Sequence, residues 1–255
     1  MAYLGKTCFV LDMDGTVYLG DIPIRGAVDF IREHWDTLDF HFLSNNTSKG
    51  PDTYINKLTG MGIPATRDRI LAPTTPLVEH LRRAGIGKAY LVGNRDYTAT
   101  LAAAMPELAL TAIGAEAVIL AYDTELTYEK LVVSAHLLQK PEVAYLATHP
   151  DLVCPDPAGP LPDVGSFIAL YEKATGRLPE HVFGKPDPHV LAPLLAKYPK
   201  ERMVMVGDRL STDKKLAENA GIDFILVLSG EATREDAEKE AVQPWRIVEN
   251  LGLLA

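Results

Sequence analysis

Asp12 and Asp14 stand one residue apart in the stretch Phe9-Val-Leu-Asp-Met-Asp-Gly-Thr16, directly after an apolar run. Two carboxylates at that spacing, with a turn behind them that offers loop N–H groups, suit a hard cation with a phosphate beside it. Groups of matching type recur along the chain. Ser44-Asn-Asn46 follows Asp39-Phe-His-Phe-Leu43, Lys185 lies in the tight turn Gly184-Lys-Pro-Asp-Pro188, and Asp208 and Asp213 follow Met203-Val-Met-Val-Gly207. Each alone is ordinary, an Asp-Gly turn here and a helix cap there. Jointly they supply what phosphoryl transfer requires: a carboxylate nucleophile, an acid/base, neutral donors and a cation for the equatorial oxygens, and an acidic cradle for Mg²⁺.

The elements that must position these residues are legible as short apolar runs. Thr7-Cys-Phe-Val-Leu11 reads as a buried strand of a parallel sheet, broken by Gly15. In an open parallel α/β sheet ligands sit beyond the carboxyl ends of the strands, where both aspartates and the Ser44 cluster would project. Residues 17–24 hold apolar positions around Gly20-Asp21 and predict a hairpin flap. Helices are expected over 27–35 and 51–61. The middle of the chain reads as α/β material of its own: helices over 77–84, 98–105 and 127–139, strands over 89–92, 117–121 and 143–148. Residues 150–163 hold five prolines and read as an ordered loop, followed by a helix over 166–175 that Gly176 closes. Beyond Lys185 the spacing predicts a helix to about 198, strands over 203–207 and 224–228, a helix ending near Gly221 and a charged helix over 233–241.

Bulk composition narrows the classes. With 255 residues, 47% hydrophobic and 23% charged, one or two globular domains are both open and a sizeable core is expected. The net charge of −9, from 25 Lys+Arg against 34 Asp+Glu, disfavours a nucleic-acid backbone as partner, because no basic surplus exists to replace counterions. A small anionic substrate would then need locally placed cations. Cys8 and Cys154 are too few for a disulfide framework, and a reducing compartment is the more natural setting. The first residues suggest neither a signal peptide nor a membrane span, so a cytoplasmic location is expected.

On these residues the chain resembles the haloacid dehalogenase superfamily, through all four of its motifs. The resemblance implies that Asp12 is a nucleophile forming an aspartyl phosphate and that Asp14 is the general acid/base. It implies that Ser44, Asn45 and Asn46 bind phosphate, Lys185 being the third motif. In the fourth motif, Gly207-Asp-Arg-Leu-Ser-Thr-Asp213, Asp208 would bind Mg²⁺ with Asp12 and the backbone carbonyl of Asp14, while Asp213 orients that shell. Thr47, Tyr54, Leu58, Gly62, Tyr128-Glu-Lys-Leu131, Ala174-Thr-Gly-Arg177 and Gly184-Lys-Pro186 are similar to NagD-like phosphatases with a C2-type cap. The fold so implied is a doubly wound, Rossmann-like parallel-sheet core, residues 1–76 and 181–255, with an inserted α/β cap domain over 77–180.

Some positions depart from the family pattern: Thr148-His-Pro-Asp151 stands for a usual Thr-Asn-Pro-Asp, Asp163 for a glycine, Ser211 for a frequent Asp and Lys214 for an apolar residue. His149 and Asp151 are candidate substrate contacts, with a purely structural histidine as the equal alternative. The reading is a Mg²⁺-dependent phosphatase of small-molecule phosphomonoesters, of sugar phosphate or nucleotide monophosphate type. Phosphoglycolate and pyridoxal phosphate stay open as substrates, and so does a homo-oligomer. No nucleic acid and no membrane is expected as partner. A dehalogenase is disfavoured because those relatives lack the second aspartate. A receiver-like binding module is disfavoured because it would have neither that aspartate nor an inserted cap.

Overall fold

The computed structural model describes residues 3–156 and 158–254. The chain divides into two compact units. One comprises Met1–Ser44, Asp52–Leu71 and Lys185–Ala255, the other Asn45–Pro51 and Ala72–Gly184.

The first unit opens with β1 (Cys8–Asp12), a hairpin of β2 (Tyr18–Leu19) and β3 (Ile22–Pro23), α1 (Arg25–His34), β4 (Asp39–Leu43), α2 (Pro51–Gly60) and β5 (Ile70–Leu71). The second unit carries α3 (Thr74–Ala84), β6 (Lys88–Val92), α4 (Arg95–Ala104), β7 (Ala109–Leu110), β8 (Ala117–Leu120), α5 (Tyr128–Leu138), β9 (Ala144–Ala147), β10 (Val153–Cys154), β11 (Leu161–Pro162), α6 (Val164–Thr175) and β12 (His181–Val182). The chain then completes the first unit with α7 (Ala192–Leu195), β13 (Met203–Gly207), α8 (Lys215–Ala220), β14 (Asp223–Val227), α9 (Arg234–Glu238) and β15 (Arg246–Val248).

The six-stranded sheet of the first unit runs β15-β14-β13-β1-β4-β5, with every neighbouring pair parallel. Its strands are largely apolar because both faces are covered: Phe9, Leu11, Phe40, Phe42, Val204 and Val206 fill one core, and Cys8, Val10, Leu43, Met203 and Met205 fill the other. From β1 the order proceeds to β4 and β5 on one side and to β13, β14 and β15 on the other. That reversal makes the carboxyl ends of β1 and β13 the topological switch point, where open α/β sheets bind ligands.

The second unit has its own five-stranded parallel sheet, β12-β9-β8-β6-β7. Val118, Leu120 and Tyr145 pack on one face, and Ala117, Ile119 and Leu146 on the other. The expected helices start at caps the sequence supplies: Asn94 accepts from the Tyr97 N–H, Thr127 from that of Lys130, and Asp163 from that of Val164. The segment Asn45–Pro51 belongs to this unit and is tied to it locally. Thr47 Oγ1 accepts from Tyr122 N at 2.9 Å and pairs with Thr148 Oγ1 at 3.2 Å, and Asn94 Nδ2 donates to Ser48 O at 2.8 Å.

Three expectations are corrected. The proline-rich stretch 150–163 is not irregular throughout: β10 and β11 form an antiparallel pair in which Pro162 faces Val153, and a two-stranded ribbon has only edges, where a residue without an N–H is tolerated. Pro157 lies outside the described residues. The helix expected from Lys185 to about 198 is broken into a 3₁₀ turn, Pro188–Leu191, and the short α7, because Pro193 lacks the N–H that a continuous helix would need there. The charged helix over 233–241 is confined to α9, which a Thr233–Asp236 capping box starts.

Candidate active site

Asp12 ends β1 in register with Leu43 of β4, so Ser44 lies one position beyond it on the neighbouring strand, and Leu11 is in register with Val206 of β13. Asp208 therefore follows its strand at the same end of the sheet. The turn after β1 is closed by the Met13 carbonyl, which accepts from Val17 N at 2.8 Å. Gly15 takes φ +87°, and a Cβ there would lie 2.3 Å from Asp208 Oδ2. Glycine is thus required both by the backbone and by the carboxylate it faces. At Gly207 the close approach alone excludes a side chain, since an added Cβ would lie 2.3 Å from Asp213 Oδ2.

Asp12, Asp208 and Asp213 each offer a carboxylate oxygen within 4.8 Å of the others. Lys185 is buried among them, its Nζ paired with Asp12 and 2.7 Å from Asp213 Oδ1. Burial works against the Lys185 charge, yet Asp12 and Asp213 outweigh it and hold the ammonium above the ordinary lysine pKa. Burial, with Asp213 and Asp208 adding to it against Lys185, pushes Asp12 up to about 8. Burial and Asp213 push Asp208 up to about 6, against the Glu231 N–H, Arg209 and Lys185. Three carboxylates thus share one buried ammonium, and the upward shifts express the charge that would be left uncompensated if all three ionised.

A divalent cation fits this arrangement by chemistry and by geometry. The donors are hard carboxylate oxygens. Asp208 Oδ2 accepts from Glu231 N at 2.8 Å, whereas Oδ1 is buried and has no hydrogen-bond partner among the described residues. An added positive charge at that oxygen would relieve both the missing partner and the excess of negative charge.

The other predicted residues are placed as follows. Asp14 is exposed and accepts from Gly20 N of the β2–β3 hairpin at 3.4 Å; its carboxylate is not among the three that cluster, whereas that of Asp213 is. Ser44 N donates to Leu71 O at 3.2 Å within the first unit. Asn45, Asn46, His149 and Asp151 belong to the second unit. There Asn45 Nδ2 donates to Asp151 Oδ1 at 3.1 Å, and Asn46 Oδ1 accepts from Ser48 N at 2.8 Å in an Asx turn. His149 is fully buried, with Nδ1 3.7 Å from Asp151 and Nε2 3.6 Å from Asp163.

Sequence reasoning missed the loop after β14. Ser229 Oγ donates to Gly15 O at 2.6 Å, and Ala232 N donates to Asp208 O at 2.9 Å beside the Glu231 contact. The Ser229-Gly230 break after an apolar strand was the available signal.

Comparison with known proteins converges on one family. The sequence model for haloacid dehalogenase-like hydrolases matches residues 9–105, and a HAD-hydrolase-like model matches residues 182–254. The acid sugar phosphatase of Staphylococcus haemolyticus (strain JCSC1435) is 30% identical over 247 residues, covering 92% of this chain and 90% of its own length. The crystal structure of 4-nitrophenylphosphatase from Thermotoga maritima superimposes with a TM-score of 0.90 at 40% identity, covering 97% of this chain and 95% of that one. NagD from E. coli K-12 gives 0.88 at 25% identity, with 99% and 98% covered. With a parallel sheet whose switch point gathers these carboxylates and a lysine, the chain belongs to the haloacid dehalogenase-like hydrolases, among them to the NagD-like phosphatases that act on phosphate esters.

Proposed function

We propose that this protein is a Mg²⁺-dependent phosphatase of small-molecule phosphomonoesters, of sugar phosphate or nucleotide monophosphate type, working through an aspartyl phosphate on Asp12. The observation that carries the reading is the Asp12–Lys185–Asp213 contact at the sheet's switch point, with Asp208 beside it. Asp12 attacks phosphorus, and the bond from phosphorus to the ester oxygen breaks as Asp14 protonates that oxygen. Asp14, now a carboxylate, takes a proton from water, which attacks phosphorus and breaks the bond to Asp12. Lys185 offsets charge on the phosphoryl oxygens while Ser44, Asn45 and Asn46 donate to them. Asp12 and Asp208, with the Asp14 carbonyl, would hold Mg²⁺, which offsets the repulsion between an anionic nucleophile and an anionic phosphate; Asp213 fixes Lys185 beside them.

Asp14 suits its assignment because its side chain is exposed and held to the hairpin by no more than the long contact from Gly20 N at 3.4 Å among the described residues. In this reading His149 and Asp151 contact the substrate and the second unit selects the leaving group. A reducing, cytoplasmic setting accords with Cys8 and Cys154, neither of which is held in a disulfide. No helix among the described residues is long and apolar enough to cross a membrane. The test is release of inorganic phosphate from a panel of sugar phosphates, nucleotides and a nitrophenyl ester with Mg²⁺ present. Activity should vanish in excess chelator and return with Mg²⁺. Undiminished turnover in chelator would remove the cation from the mechanism.

A further inference from the structure

We propose that the loop 229–232, which follows β14, is a positioning element that presents Asp208 to the cation with one oxygen committed and the other free. The inference rests on the reading of Asp12 and Asp208 as a cation site. Its own support is geometric. Three of the four loop residues make three separate attachments: Ser229 Oγ to the Gly15 carbonyl at 2.6 Å, Glu231 N to Asp208 Oδ2 at 2.8 Å, and Ala232 N to the Asp208 carbonyl at 2.9 Å. Between them Gly230 lies against the carboxylate so closely that a Cβ would stand 2.0 Å from Oδ2 and 2.4 Å from Cγ.

The consequence is an asymmetric carboxylate. Oδ2 receives an N–H and is walled by Gly15 and Gly230, so the side chain cannot turn to offer that oxygen elsewhere. Oδ1 is left buried without a hydrogen-bond partner among the described residues. A carboxylate held in this way offers the cation a single oxygen in a fixed position, and the loop that fixes it acts through Asp208 without touching the reacting atoms. Ser229 adds a second hold, because the Gly15 carbonyl it grips belongs to the turn that follows Asp12 and Asp14. The same four residues thus couple the two strand ends that carry the acidic groups. Glu231 also reaches Arg209, its Oε2 2.9 Å from Nε, which fastens the loop to the residue next to Asp208.

The test is a calorimetric titration of Mg²⁺ without substrate on the wild-type protein, Gly230→Ala and Ser229→Ala. Gly230→Ala should bind Mg²⁺ about 10- to 100-fold more weakly, the usual cost of disturbing a partner that orients a ligand. Ser229→Ala should bind it about fivefold more weakly, as for one lost hydrogen bond. Melting temperatures in chelator should match the wild type, the rise produced by Mg²⁺ should shrink, and turnover should recover when Mg²⁺ is raised. Should Gly230→Ala melt early in chelator, Ser229→Ala, which adds no atom, carries the test alone. Mg²⁺ constants equal to the wild type in the well-folded variants overturn the positioning role and leave the cation site standing. A wild-type protein that binds no Mg²⁺ overturns the cation reading and this inference with it.

Discussion

The two parallel sheets are built alike and differ in how they treat a buried aspartate at a strand end. Asp123, after β8 in the second unit, is buried, with Lys130 Nζ 2.7 Å from one oxygen and Glu125 N 2.9 Å from the other. Asp208, after β13 in the first unit, is equally buried, yet it has a single N–H on one oxygen and none on the other, with Asp213 and Asp12 close by. A buried carboxylate neutralised within its own chain serves stability; one left with excess charge is stable only if something from outside completes it. Function is therefore expected at the sheet whose electrostatics are unfinished.

The sharpest way to break this comparison is to neutralise one acid in each sheet. Asp12→Asn should lower turnover by roughly 10⁴-fold or more, since it removes the carboxylate on which the proposed covalent bond forms. Asp123→Asn should leave kcat on a nitrophenyl ester near the wild-type value while lowering stability by about 1–3 kcal/mol, as the Lys130 charge loses its partner. Chemical denaturation and steady-state kinetics on both variants decide it, and a collapse of activity in Asp123→Asn would void the contrast.

Asp14→Asn comes next, because general acid catalysis is typically worth roughly 10² to 10⁴ and matters most for a basic alkoxide. Alkyl phosphates should suffer the full loss. A nitrophenyl ester should still phosphorylate Asp12 and then turn over slowly, so rapid mixing should show a burst near one equivalent per site. Equal loss on both substrate types without a burst would reassign Asp14 to positioning.

A smaller effect is expected from the second unit. His149→Asn should change kcat/KM ratios between sugar phosphates and nucleotides by about 10-fold while altering the rate on a nitrophenyl ester little. Uniform loss across substrates would instead make the His149, Asp151 and Asp163 cluster a structural tie.

The smallest effect comes from a buried polar group that lacks partners for a different reason. His41 lies within β4, is buried, and has no hydrogen bond at either ring nitrogen among the described residues. Burial, aided by Arg69, lowers its pKa from 6.5 to about 4, so it sits neutral in the folded protein. The unfolded chain takes up the proton more readily. Stability is thus complete above about pH 6.5 and is lost as pH falls through that value toward about 4. His41→Phe should flatten the melting temperature over this window and leave activity at neutral pH unchanged. An unaltered acid slope would assign the loss to other groups.

Much of this was legible in the sequence because strands covered on both faces write themselves as unbroken apolar runs. β1, β6, β8, β9, β13 and β14 could be found in that way and β4 by Phe40, Phe42 and Leu43 around His41, and Asp12, Ser44 and Asp208 stand at the ends of these stretches. The short strands β5, β7, β12 and β15 carry two or three residues each, too few for any period to show. The loop 229–232 was hidden for a deeper reason. It acts through backbone N–H groups and through the absence of a side chain at Gly230, and neither has a residue-type signature. Residues that contribute a functional group can be recognised by name; residues that contribute only geometry need the fold first.

The heptapeptide Asn45–Pro51 bears on how such a protein can be rearranged by recombination. It is encoded directly after β4, but its side chains are knitted into the second unit through Tyr122, Thr148 and Asp151 and its backbone through Asn94. A transfer of the second unit into a relative would therefore have to carry more than the contiguous stretch Ala72–Gly184. A graft of that stretch onto another relative would strand the Tyr122 N–H and the Asn94 amide beside a foreign loop, and its success would depend on whether the recipient spells residues 45–51 compatibly. Chimaeras that swap both pieces should fold where chimaeras that swap only the longer one do not.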